Sequence, residues 1–140
     1  MRFWVNITLT ATRLKGIDSD GCHFLTLCSI AEDVLGAPID LIEAVNIAYN
    51  ENLIDKKDVF YVKDSCALLS VLTGKQWTRK EIAAKDFKPE EVGEHDYTEA
   101  VYFNIETGFH HYRRRGYDTL VHSVTVEKGY IKKYYMYRWV

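Results

Sequence analysis

Residues 21–36, GCHFLTLCSIAEDVLG, contain the strongest helix pattern in the chain. Apolar residues recur there at intervals of three and four, which places them on one stripe of a helix. They are Phe24, Leu27, Cys28, Ala31, Val34 and Leu35. Gly36 suits the left-handed position that ends a helix, and Pro38 follows it. The stretch therefore predicts an amphipathic helix packed against the rest of the protein, with Cys22 at its start.

Two more helices are predicted downstream. Asp40 can cap one over residues 41–51, and Asp64 or Ser65 can cap another over residues 66–72. Gly74 can close the second of them. The next segment is ambiguous, because residues 80–84 suit either a short helix or a turn and Pro89 interrupts any longer element.

Alternating patterns predict strands at the start of the chain and through its last third. The predicted strands cover residues 1–10, 100–105, 109–112, 123–126 and 130–140, with turns at 106–108, 113–116 and 127–129. Helices thus dominate the first half and antiparallel strands the second. Helices that segregate from an antiparallel sheet indicate the α+β class, and 140 residues suit a single domain, 1–140.

Composition restricts the class of partner. Hydrophobic residues make up 47% of the chain, enough for a sizeable core, and the net charge of −2 argues against a nucleic-acid partner. Acidic residues cluster over 86–99 and basic residues over 113–138. We interpret these clusters as two solvated faces, the alternative being a basic groove in which Arg113, Arg114 and Arg115 grip phosphate.

Sequence signals for export and metal binding are weak. The first ten residues lack the apolar run of a secretory signal, and no segment has the roughly 20 apolar residues of a membrane span. The cysteine count is three, an odd number without metal-ligand spacing. We therefore expect a reduced, cytoplasmic protein with no membrane association, no metal and no cofactor.

Cys22 occupies a position that suits a nucleophile. It follows Gly21 and begins the predicted helix, where backbone N–H groups lack partners and the helix dipole is positive. Such surroundings favour the thiolate and lower the pKa of a cysteine, and the same N–H groups can receive an oxyanion. The alternative is a buried core residue, as free cysteines often are. Cys28 and Cys66 lie on apolar stripes and are interpreted as core.

Two histidines stand in the predicted strand Phe109-His110-His111-Tyr112. Neighbours in a strand point to opposite faces, so only His111 shares the face of Phe109. His111 is therefore the candidate base and His110 its rival. A metal site is not expected here, because adjacent strand residues do not easily chelate one ion and no further cluster completes a ligand set. Asp118 follows a tight basic turn and either orients the imidazole or is simply a turn aspartate.

In chain order these residues are cysteine, histidine and aspartate, and the setting resembles the papain-like cysteine peptidase superfamily. The resemblance is nearest to an uncharacterised papain-like family of bacterial and phage proteins related to the double-glycine leader peptidases. Three stretches carry it: residues 20–24 (DGCHF) with Leu27 and Ala31-Glu32 downstream, residues 107–112 (TGFHHY) and residues 117–129 (YDTLVHSVTVEKG).

The resemblance implies a nucleophile helix packed on an antiparallel sheet. It implies a thiolate–imidazolium pair of Cys22 and His111, oriented by Asp118, that transfers acyl groups from a peptide or amide substrate. Papain-like peptidases usually place a glutamine shortly before the cysteine, but residues 14–19 contain none. Ser19 or backbone N–H groups would then complete the oxyanion site. The alternative function is a papain-like domain that no longer catalyses and binds a protein partner.

Overall fold

The computed structural model describes residues 21–55, 61–115 and 129–140. These residues form an α+β structure, as predicted, with three α-helices and two antiparallel sheets. The helices are α1 (Cys22–Leu35), α2 (Leu41–Asn50) and α3 (Ser65–Thr73). The strands are β1 (Ile54–Asp55), β2 (Tyr61–Val62), β3 (Trp77–Ala83), β4 (Asp96–Asn104), β5 (His110–Arg114) and β6 (Gly129–Trp139). The strands predicted at 1–10 and 123–126 lie outside the described residues.

All three predicted helices are confirmed, together with their caps. Asp40 accepts a hydrogen bond from the third residue of α2, and Asp64 does the same for α3. Gly36 and Gly74 end α1 and α3 in the left-handed conformation, with φ of 68° and 74°, where a side chain would be strained. None of the helices in the described part of the chain is long and apolar enough to cross a membrane.

The larger sheet has the strand order β3-β6-β4-β5, and every neighbouring pair is antiparallel. The helix or turn predicted at residues 80–84 is wrong for 80–83, which belong to β3. This strand is largely exposed, so its own pattern is weak, and its pairing with β6 determines its conformation. The turn predicted at 113–116 is likewise wrong for Arg113 and Arg114, which continue β5.

Helix α1 lies in the centre of the core. It packs against α3 on one side and β5 on the other. Its buried residues include Phe24, Leu27, Cys28, Ile30 and Ala31, all of which join the same hydrophobic cluster. Cys28 is therefore core, as predicted, and Cys66 is a partly buried residue packed against that core. The start of α1 lies beside β5, the last strand of the sheet formed by the described residues.

One face of the sheet is turned toward α1. Arg114 of β5 pairs with Asp33 of α1 at 2.6 Å and hydrogen-bonds Ser29 at 3.1 Å. The Tyr112 ring, two residues earlier, lies against the ring of His23 in the first turn of α1. Tyr112 and Arg114 therefore share the helix-facing side of β5, as alternate residues of a strand do.

Candidate active site

Cys22 is the first residue of α1, as predicted. Gly21 occupies the N-cap position and supplies no side-chain cap, so the first N–H groups of the helix remain available. Cys22 Sγ accepts a hydrogen bond from the backbone N–H of Tyr112 at 3.4 Å. The backbone N–H groups of Cys22 itself and of His23 also act to lower the pKa of the thiol. Backbone N–H groups thus surround the start of α1, an arrangement that favours negative charge on the sulfur or on an oxygen bound beside it.

The pKa of Cys22 is nevertheless raised, opposite to the prediction. Burial of the thiol is the largest cause, and the negative charge of Glu99 acts in the same direction. The hydrogen bonds from the backbone N–H groups lower the pKa but do not outweigh burial. In the free protein at neutral pH, Cys22 is therefore a thiol.

A buried carboxylate lies beside the first turn of α1. Glu99, on β4, has 0% of its surface exposed. Its Oε2 lies 2.6 Å from His23 Nδ1, the distance of a charge-assisted hydrogen bond, and its Oε1 accepts a hydrogen bond from the Tyr137 hydroxyl at 3.0 Å. Glu99, His23 and Tyr137 therefore form one connected polar group inside the core.

Tyr112 connects this polar group to the thiol. Its N–H binds Cys22 Sγ, and its ring centroid lies 4.5 Å from that of His23. Burial, assisted by the neighbouring Tyr135 and Glu99, raises the pKa of Tyr112 to about 12. The phenol is therefore uncharged at physiological pH, and Tyr112 acts on the site through its backbone N–H and its ring.

The structure places His111 in β5, buried and paired with Tyr102 of β4. Arg113 donates a hydrogen bond to the Tyr102 hydroxyl at 2.7 Å, so His111 and Arg113 share one face of the sheet. Tyr112, between them, faces α1. His111 thus points to the face of the sheet away from α1. Within β5, the group that donates a hydrogen bond to Cys22 Sγ is the backbone N–H of Tyr112.

His110, the rival base, shares the helix-facing side with Tyr112. It lies near the Lys132 ammonium group, with 3.5 Å between the two nitrogens, and against the ring of Phe103. Partial desolvation of the largely exposed ring lowers the pKa of His110, and the charges of Lys132 and Lys133 lower it further, so this imidazole is neutral at pH 7. The other two predicted site residues, Asp118 and Ser19, lie outside the described residues.

Glu99 and His23 are site residues that the sequence interpretation missed. Glu99 was counted in a solvated acidic face, and that interpretation is wrong for this residue, which is fully buried. A signal was present, since Tyr97, Glu99 and Val101 alternate along one face of β4. His23 carried a simpler signal, because it directly follows Cys22 at the start of the helix.

Arg113, Arg114 and Arg115, the alternative candidates for a phosphate-binding groove, each contact a different part of the protein. Arg114 is buried and paired with Asp33, Arg113 lies over the Tyr102 ring, and Arg115 lies over the Phe87 ring.

In the described part of the chain, no group of three or more histidine, cysteine or acidic side chains could hold a metal ion. The chain matches no family model, no curated protein and no solved structure.

Proposed function

We propose that the chain is a cysteine hydrolase of papain-like architecture that cleaves a peptide or amide bond. The hydrogen bond from the Tyr112 N–H to Cys22 Sγ supports this most directly, because it joins the start of a helix to the strand that carries both candidate bases. A cysteine at a helix start, packed against a histidine-bearing antiparallel strand, is the arrangement that the resemblance implied.

The chemistry follows from the groups around the sulfur. Cys22 Sγ attacks the substrate carbonyl carbon as its proton passes to an imidazole, and the resulting oxyanion accepts hydrogen bonds from the N–H groups of the first turn. The C–N bond then breaks and the imidazole returns the proton to the leaving amine. Water hydrolyses the thioester and releases the acid. His111 with Asp118 is the base pair predicted from the sequence. Because His111 points to the face of the sheet away from α1, the geometry favours its rival His110, which shares the helix-facing side with Tyr112.

The raised pKa of Cys22 affects the order of events. Because the free thiol is protonated, ionisation must accompany substrate binding rather than precede it, as in a serine hydrolase and unlike a preformed ion pair. All three cysteines are free thiols, and the nucleophile must stay reduced to act, which favours the cytoplasmic setting proposed from composition.

A peptide vinyl sulfone is a suitable first probe, since it mimics the scissile bond and forms a stable adduct with a nucleophilic cysteine. We expect mass spectrometry to find the adduct on Cys22 and not on Cys66. Cys66 is a matched internal control, because it also lies in the first turn of a helix, is partly buried and has a raised pKa. Labelling that never exceeds that of Cys66, across a panel of peptide probes, would contradict the proposal.

A protein-binding domain without catalytic activity is the second candidate. The exposed apolar side chains at the end of the sheet favour it, namely Ile105, Phe109 and Tyr130. Aromatic residues of this kind anchor protein interfaces. If this function holds, capture of a partner should survive Cys22→Ala and be lost with Phe109→Ala and Tyr130→Ala combined. Capture that instead depends on Cys22 would favour the hydrolase.

A further inference from the structure

Strand β6 contains an irregularity that points two successive lysines to one side of the sheet. Val101 of β4 lies opposite Lys133, whereas Tyr102 lies opposite Ile131, so Lys132 is an extra residue with no opposite partner on β4. This arrangement is a β-bulge, a feature that redirects a side chain and is frequent next to active sites. In a regular strand the two lysines would point to opposite faces.

Both ammonium groups lie on the helix-facing side. Lys133 lies over the buried ring of Tyr135, and its Nζ donates a hydrogen bond to Glu81 of β3 at 2.9 Å. Lys132 Nζ lies instead 3.5 Å from His110 Nε2, across the intervening strand β4. His110 is a residue of the helix-facing side, so the bulge brings Lys132 to the rival base and not to the opposite face of the sheet.

The two lysines differ in what balances their charge. Glu81 neutralises Lys133. Lys132 is exposed, and the ion pairs between described residues do not include it. Its neighbour at the site is the His110 imidazole, which is not an anion. An ammonium group in this setting can bind an anionic group of another molecule through charge-assisted hydrogen bonds.

Lys132 lies at the accessible end of the candidate site. Along the helix-facing side of β5, Arg114 is buried against α1, Tyr112 is half-buried beside Cys22, and His110 is exposed. Helix α1 begins at Cys22 and covers the strand from Tyr112 toward Arg114, so it leaves the His110 end uncovered. Alternate residues of a strand are about 7 Å apart, and the Tyr112 nitrogen lies 3.4 Å from Cys22 Sγ. A substrate whose carbonyl carbon lies at the sulfur can therefore reach Lys132 with a group one or two residues away.

We infer that Lys132 is a substrate-binding residue, which holds a carboxylate of the peptide substrate close to the bond that Cys22 attacks. The carboxylate belongs either to an acidic side chain or to the C-terminus of the peptide, since both accept hydrogen bonds from an ammonium group in the same way. The inference rests on the proposed use of Cys22 as a nucleophile, but the carboxylate preference is measurable without any turnover.

Bromoacetyl peptides test this preference, because the sulfur displaces bromide from them and no hydrolysis is needed. One matched pair is bromoacetyl-glutamic acid α-amide with bromoacetyl-glutamine amide, and the other is bromoacetyl-alanine with bromoacetyl-alanine amide. Mass spectrometry follows the Cys22 peptide alone and gives, for each pair, the ratio of the anionic to the neutral alkylation rate. Lys132→Gln should lower this ratio roughly threefold or more in at least one pair. The pair that responds identifies the source of the carboxylate, a side chain in the first pair and a C-terminus in the second.

The ratio cancels any change in the reactivity of the thiol itself, because both reagents of a pair meet the same sulfur. Lys80→Gln is the matched control. Lys80 is an exposed lysine of β3, and its neighbours Arg79 and Glu81 contact residues of the helix-facing side, so Lys80 points away from the site. Its replacement removes the same charge and should leave both ratios unchanged.

Two outcomes would overturn the inference. One is a pair of ratios that Lys132→Gln leaves unchanged, and the other is an equal fall in Lys80→Gln, which would reflect the net charge alone. The hydrolase proposal fails separately. If Lys132→Gln lowers a ratio but the vinyl sulfone adduct never forms, the carboxylate site stands and the hydrolase proposal is contradicted.

Discussion

Replacing His23 by alanine should lower the free energy of unfolding by about 3–5 kcal/mol, the usual effect of leaving a buried carboxylate without its partner. The reason is that Glu99 is fully buried and that its Oε2 lies 2.6 Å from His23 Nδ1, so removal of the imidazole leaves this oxygen without that partner. The Tyr137 hydroxyl remains as a donor but carries no charge. Urea denaturation followed by circular dichroism measures the change, and an unaltered m-value would show that both proteins unfold in the same way.

His110→Ala is the matched control for this substitution. His110 is also a histidine of the helix-facing side, but it is exposed and its charged neighbour is a lysine, Lys132. We expect its loss to change the stability by about 0.5 kcal/mol or less, as surface substitutions usually do. Combining His23→Ala with Glu99→Gln should restore part of the lost stability, because the uncompensated charge is then gone. Equal losses from His23→Ala and His110→Ala would contradict the buried pair.

Phe24→Ala should destabilise the protein by about 3–5 kcal/mol, the typical effect of truncating a buried phenylalanine. Phe24 has 0% of its surface exposed and lies in the hydrophobic cluster between α1 and the sheet. The substitution removes a large apolar side chain and leaves a cavity that the helix and strands can only partly close. The same denaturation measurement applies, and the midpoint should fall without a large change in m-value.

Phe109→Ala is the matched control for Phe24→Ala, because both replace a phenylalanine by alanine and only the burial of the side chain differs. The side chain of Phe109 has 73% of its surface exposed, at the turn between β4 and β5. Its removal should therefore change the free energy of unfolding by about 0.5 kcal/mol or less. If both substitutions were equally harmful, the Phe109 ring would have to be buried, and its assignment to an exposed interface would also be wrong.

The helices were predictable because their signals are local. The spacing of apolar residues places one face of α1 in the core, and Gly36 ends it in a conformation that glycine adopts without strain. Asp40 and Asp64 predict the starts of α2 and α3, because an aspartate side chain can accept a hydrogen bond from a free N–H group in the first turn of a helix. Strand β3 had no such signal, since its residues are largely exposed and its conformation comes from pairing with β6.

The candidate site was predictable only in its local part. The position of Cys22 at a helix start follows from the pattern of residues 21–36 alone. Its ionisation does not, because the pKa of a thiol depends on burial and on charges brought from distant strands. The same limit applies to His110 and His111, since which of them faces α1 depends on how β5 is oriented against that helix.

The sequence by itself therefore determined the α+β class, the three helices with their caps and the placement of a cysteine among free N–H groups. These properties depend on spacing and on residues a few positions apart. Only the tertiary structure decided that Glu99 is buried, that it pairs with His23 from 76 residues away, and that Tyr112 binds the thiol. A glutamate has the same side chain in solvent and in a core, so the role of Glu99 depends on its contact with His23, which joins segments distant in the sequence.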